Sequence, residues 1–117
     1  MDNSGGAIFE TQVKEVDGFP VIELIGEIDL STSPVFKQRI YEIIESGKRD
    51  VIVDMNGLDF MDSTGLGVLV AALKKTRMEG GSIRLICNRN NIMKVFTITG
   101  LDKVFAIYDN LSELLES

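Results

Sequence analysis

The feature that most constrains the fold is Val51-Ile52-Val53, a short run of β-branched apolar residues closed by Asp50 on one side and Asp54 on the other. A strand that is apolar at consecutive positions has no solvent face, so it must be covered on both sides, as the inner strands of α/β sheets are. Met55 to Asp62 then reads as a loop. From Ser63 onward Leu66, Val68, Leu69, Val70, Ala71, Ala72 and Leu73 leave almost no polar face, Lys74, Lys75 and Arg77 suit a helix C-terminus, and Gly80-Gly81 ends the segment. Ile83 to Ile86 is a further apolar strand. The order strand, helix, strand predicts parallel pairing.

The flanking segments extend this pattern. Ile8 to Val16 alternates loosely, Asp17-Gly18 supplies turn residues, and Pro20 to Glu27 follows with Val21, Ile22, Leu24 and Ile25, which together predict a hairpin. Ser31-Thr32-Ser33-Pro34 offers capping hydroxyls and a proline suited to a helix start, after which Phe36, Ile40, Ile43 and Ile44 recur at helical spacing up to Gly47. Asn90 or Asn91 is expected to cap a third helix carrying Ile92, Val95, Phe96 and Ile98, with Gly100 as its stop. Val104 to Tyr108 predicts a last strand, and Asn110 with Glu113 a capping-box start for a terminal helix holding Leu111, Leu114 and Leu115. The expected fold class is α/β: a mixed sheet, with an N-terminal hairpin and mainly parallel strands, packed with about four helices. Residues 1–117 read as one domain with residues 1–6 as a flexible N-terminus, since 117 residues that are 44% apolar suffice for one core.

The absence of histidine narrows the chemistry, removing the usual general base, the serine-triad partner and the commonest metal ligand together. Most hydrolase and zinc readings end there. Carboxylates, hydroxyls and backbone amides remain, a set suited to phosphate handling and recognition. No metal or cofactor is expected, nor enzymatic activity. With 12 basic and 18 acidic residues the net charge is −6, which repels nucleic-acid phosphates and anionic membranes. No stretch approaches the roughly 20 apolar residues of a membrane span, and Met1 to Gly6 lacks the basic flank and apolar run of a signal peptide. A cytoplasmic location is expected. Cys87, alone and at the end of an apolar run, reads as a small buried hydrophobe.

The informative constellation is Asp54 to Gly67, which joins the C-terminal end of a buried strand to the start of a helix, the edge at which open α/β sheets meet ligands and partners. Ser63 has two readings there. Its hydroxyl either caps the helix or accepts a modification at the helix N-terminus. A phosphate on Ser63 would add about two negative charges beside helix amides that favour an anion. The fold would tolerate it, while a partner resting on that spot, next to Asp59 and Asp62, would meet new bulk and like charge. Gly65 and Gly67 let backbone approach closely, for helix packing, for a partner, or for both.

In this context Asp62-Ser63-Thr64-Gly65-Leu66-Gly67-Val68-Leu69 resembles the phosphorylation motif of the STAS-domain anti-sigma factor antagonists. The resemblance extends to Gly26-Glu27-Ile28-Asp29, to Val51-Ile52-Val53-Asp54-Met55 and to Thr99-Gly100-Leu101-Asp102, covering most of Phe19 to Tyr108. It implies a single STAS domain whose dephosphorylated form binds an anti-sigma factor that is also a serine kinase, freeing a sigma factor. Phosphorylation of Ser63 would end that binding, and a metal-dependent serine phosphatase would restore it. By matching position Ser63 is the phospho-acceptor, and Asp29, Ser31, Thr32, Asp62, Thr64 and Leu66 are partner contacts. Asp29 reads equally as a turn or cap residue, and Ser31 or Thr32 as preparation for the helix at Pro34. Thr64 stands where many relatives carry serine, and its hydroxyl is itself able to accept phosphate. The resemblance leaves monomer or weak dimer open.

Three competing readings find less support. A response-regulator receiver would place its phospho-acceptor at a position like Asp54, but needs an acidic pair after the first strand and a lysine after the last, and the hairpin start and Tyr108-Asp109 offer neither. Gly65-Leu66-Gly67 as a dinucleotide loop fails where the third glycine should be, at Val70. Asp59 and Asp62 as an acid and base pair read more simply as solvated loop charges. A STAS module of a stress scaffold, a transporter accessory complex or another partner-switching system stays closest to the antagonist reading.

Overall fold

The computed structural model describes residues 8–117, so the expectation for residues 1–6 falls outside the described residues. Strand β1 (Phe9–Val16) turns at Asp17-Gly18 into β2 (Phe19–Ile28), and the two pair antiparallel from Phe9↔Gly26 to Val16↔Phe19. Both turn residues take positive φ, 52° at Asp17 and 84° at Gly18, the geometry that follows the twist of a hairpin. Helix α1 (Ser33–Glu45), strand β3 (Asp50–Met61), helix α2 (Ser63–Met78), strand β4 (Ser82–Ile86) and helix α3 (Asn90–Thr99) follow. A short 3₁₀ turn at Leu101–Lys103, strand β5 (Ala106–Tyr108) and helix α4 (Leu111–Leu115) complete the chain.

The five strands form one sheet in the order β1-β2-β3-β4-β5, antiparallel at β1-β2 and parallel elsewhere. Because each parallel crossover steps to the next strand in the same direction, right-handed connections bring their helices to one face. The core follows that geometry. Phe36, Ile40 and Ile44 of α1, Leu66, Leu69 and Leu73 of α2, and Ile92 and Phe96 of α3 pack with Ile22, Leu24, Val53 and Leu85 of the sheet. A smaller cluster on the opposite face seats Leu114 of α4 on Val21, Ile52 and Ile86. Ile52, flanked in sequence by two residues of the main core, is fully buried on the second face, as a strand covered on both sides requires.

The segment Met55 to Asp62 is not the loop that the sequence suggests. β3 continues through Met61, and Met55, Leu58 and Met61 are buried at a spacing of three. The register against β2 shifts between Glu23 and Ile25 and again between Gly26 and Glu27. Such irregularities break the two-residue alternation by which a strand is read from sequence. Helix caps also differ. Arg89 occupies the position before α3, and the Asn91 side chain donates instead to the Asp59 carbonyl at 2.8 Å. Ile98, expected on the apolar face of α3, is 82% exposed, because Ile92 and Phe96 define the buried stripe and Ile98 lies away from it. Cys87 is buried, and burial pushes its thiol above the ordinary value, consistent with an inert core residue.

Candidate functional site

Three chain segments meet at the C-terminal end of the sheet: the end of β2, the end of β3 and the start of α2. Ile28 and Met61 are register partners, and the Asp62 amide donates to the Ile28 carbonyl at 3.2 Å. The α2 start lies directly on them. A Cβ added to Gly65 would sit 2.7 Å from Met61 Cγ, 2.8 Å from its sulfur and 3.0 Å from Ile28 Cγ2, so only glycine lets the helix descend this far. Of the two roles expected for Gly65, tight packing on the sheet is the one its neighbours define.

Asp62, not Ser63, caps α2. Its carboxylate accepts from the Thr64 amide at 2.9 Å and from the Thr64 hydroxyl. The cap reading of Ser63 is thereby replaced: Ser63 is the first residue of the helix, exposed, and among the described residues its hydroxyl has no hydrogen-bond partner. Thr64, one residue on, is half-buried and tied to Asp62. A helix N-terminus favours a negative group by about 0.3–1 kcal/mol, and the neighbouring Asp62 carboxylate opposes it.

Asp29, Ser31 and Thr32 form a closed turn between β2 and α1. Asp29 Oδ1 accepts from the Ser31 amide at 2.9 Å, the Ser31 hydroxyl at 2.7 Å and the Thr32 amide at 3.1 Å. The Ser31 hydroxyl foremost, with the two amides, holds the Asp29 carboxyl below its ordinary value. The Thr32 hydroxyl accepts from the Asp29 amide and donates to the Glu27 carbonyl, both at 2.9 Å, so it does not cap α1 as expected. Asp29 and the exposed Ser31 lie on the same sheet end as Ser63. Thr32 is 8% and Leu66 4% exposed, which places the Leu66 side chain in the core beneath the site.

Two residues absent from the expected contact set stand out. Leu30, at the tip of the Asp29 turn, is 78% exposed, and Phe60, the register partner of Glu27, is 46% exposed. The turn's own hydrogen bonds fix Leu30 outward. Its sequence signal was a leucine inside an Asp-Leu-Ser-Thr turn with no periodic face to join, and Phe60 was hidden by the loop reading of its segment. Asp54 lies elsewhere, in a shallow groove of about 160 Å³ with Glu23 and Asn56 on β2 and β3, where its carboxylate accepts from the Asn56 amide at 3.0 Å. Among the described residues no group of three or more acidic, cysteine or histidine side chains gathers to hold a metal ion, and no helix is long and apolar enough to cross a membrane.

A five-stranded mixed sheet with an exposed serine opening the second helix defines a known class: residues 10–114 match the STAS domain, and the chain belongs to that family. Within it, the chain is 33% identical over 95 residues to the anti-sigma-B factor antagonist of Bacillus subtilis, covering 81% of this chain and 86% of that protein. The crystal structure of an anti-sigma factor antagonist from Mycobacterium paratuberculosis superposes with a TM-score of 0.87 at 28% identity, over 93% and 92% of the two chains. The Bacillus cell fate determinant SpoIIAA in its phosphorylated form superposes at 0.71 with 25% identity, over 92% and 97%. The first two of these relatives are anti-sigma factor antagonists by name.

Proposed function

We propose that this protein is an anti-sigma factor antagonist of the cytoplasm: its dephosphorylated form binds an anti-sigma factor that is also a serine kinase, so releasing a sigma factor, and phosphorylation of Ser63 ends the binding. One observation carries the reading: the Ser63 hydroxyl is exposed at the start of α2 and has no hydrogen-bond partner among the described residues, while its neighbour Thr64 is bonded to the cap. Phosphoryl transfer requires a hydroxyl that an incoming nucleotide can reach, and Ser63 satisfies that where Thr64 does not. The relatives' names and the phosphorylated form of a structural neighbour support the assignment.

The docking surface comprises Leu30 and Phe60 as apolar anchors, with Asp29, Ser31, Asp62 and Ser63 around them, while Thr32, Thr64 and Leu66 shape it from below. Buried apolar anchors ringed by polar groups are the usual source of binding energy at such interfaces. Phosphate on Ser63 adds about two negative charges at a sheet end that already carries Asp29 and Asp62, which costs a partner both contact and charge balance. The Ser63 hydroxyl is the acceptor in a transfer that the kinase catalyses, and the chain itself acts as a binding module that a serine phosphatase resets. The direct test combines the kinase, ATP and two proteins. ATP should release the unmodified chain from the kinase and leave Ser63→Ala bound, and ATP-driven release of Ser63→Ala would remove Ser63 from the mechanism.

A further inference from the structure

β3 is paired on both sides only as far as Asp54↔Ile86, where β4 ends. From Met55 to Met61 its one strand neighbour among the described residues is β2, through a ladder interrupted by two register shifts. A strand end held on one irregular side is pliable unless something replaces the missing neighbour. Here side chains do so. Asn56 accepts from the Asn88 amide at 2.6 Å and donates to the Asp109 carbonyl at 3.1 Å. Arg89 donates to the Asn56 carbonyl at 3.3 Å and to the Asp59 carboxylate at 3.4 Å, and Asn91 donates to the Asp59 carbonyl at 2.8 Å. Residues from the β4–α3 connection, the start of α3 and the β5–α4 connection thus bond to β3 at both Asn56 and Asp59, on the side that β4 has left.

We infer that Arg89 and Asn91 are positioning residues for Ser63: with Asn56 they brace the β3 extension, which leads through Met61 and Asp62 into the first residue of α2. Both act through Asp59, and Arg89 through the Asn56 carbonyl as well, and neither is part of the proposed docking surface. A partner that closes on Phe60 and Ser63 together needs the two at a fixed spacing, and the brace removes the freedom that would otherwise be lost on binding. The functional arm of this inference rests on the proposed role of Ser63; the structural arm does not.

The test uses the full chain with Asn91→Ala, Arg89→Ala, the double variant, and Arg89→Lys as the conservative change. Amide hydrogen exchange of the free protein should quicken about tenfold at Leu58 to Asp62 in the double variant while Val51 to Val53 stay protected, as for a local opening. In native cells the phosphorylated fraction at Ser63 should fall in the same variant, with Arg89→Lys closer to the unmodified chain than Arg89→Ala. Unchanged exchange at Leu58 to Asp62, or equal acceleration throughout the sheet, overturns the brace. Faster local exchange with an unaltered phosphorylated fraction overturns its positioning role. Absence of phosphate from the unmodified chain counts against the proposed function instead, and exchange still decides the brace.

Discussion

Ser63 and Thr64 carry the same functional group one residue apart, and their surroundings separate them. The Thr64 hydroxyl is committed to the Asp62 cap, whereas that of Ser63 faces solvent. The sequence located this site but read Ser63 as cap or acceptor alike; Asp62, next to it, is as good a cap, and only the backbone angles of an N-cap, φ −102° and ψ −171° at Asp62, decide between them. The same scale holds Leu30. Truncating Leu30 or Phe60 to alanine is expected to weaken partner binding about tenfold or more, with thermal unfolding unchanged because neither is a core residue; calorimetric titration and a melting curve check both halves. Asp29 gives a pH prediction. Its folded-state carboxyl titrates below the ordinary value, so its turn stabilises the protein above about pH 4 and loses that contribution as pH falls through the lowered folded value. Asp29→Ala should therefore flatten the acid limb of the stability curve, measured as melting temperature against pH.

Elements were legible where their apolar spacing is regular. Phe36, Ile40 and Ile44 mark α1, the two-sided Val51-Ile52-Val53 marks β3, and Asn110 caps α4 by accepting from the Glu113 amide at 2.8 Å, as its spacing predicts. The β3 extension was not legible. Its buried residues Met55, Leu58 and Met61 fall at neither strand nor helix period, because two register shifts against β2 reset which face each residue meets. Nor was the cap of α3, where Arg89 holds the cap position and the Asn91 side chain is spent on β3 instead of on its own helix. At the junction of β3 and α2, Gly65 packs closely on the sheet. Gly65→Ala should destabilise by about 1–3 kcal/mol through overpacking against Met61 and Ile28, read from denaturant unfolding, and Gly67→Ala, whose Cβ would meet nothing within 4 Å, should not.

At the scale of the whole molecule, successive crossovers in one direction gather α1, α2 and α3 on one face and leave the far end of the sheet free to present Ser63. The two halves of the design are separable: the core beneath Leu66 and Met61 keeps the fold, and the surface above carries the exposed serine with its acidic and apolar surroundings. On the proposed function, phosphorylation of Ser63 changes the charge of this surface and leaves the structure unchanged. Binding and folding are then independent properties of the molecule. That independence is tested most directly by calorimetric titration of the anti-sigma factor from the same organism with the unmodified protein and with protein phosphorylated at Ser63, alongside the melting curve of each. Affinity lower by about a hundredfold is expected in the phosphorylated form, a few kcal/mol of lost contact and added repulsion, with both forms folded alike. Equal affinity for the two forms, or weaker binding accompanied by loss of the fold, would contradict this expectation.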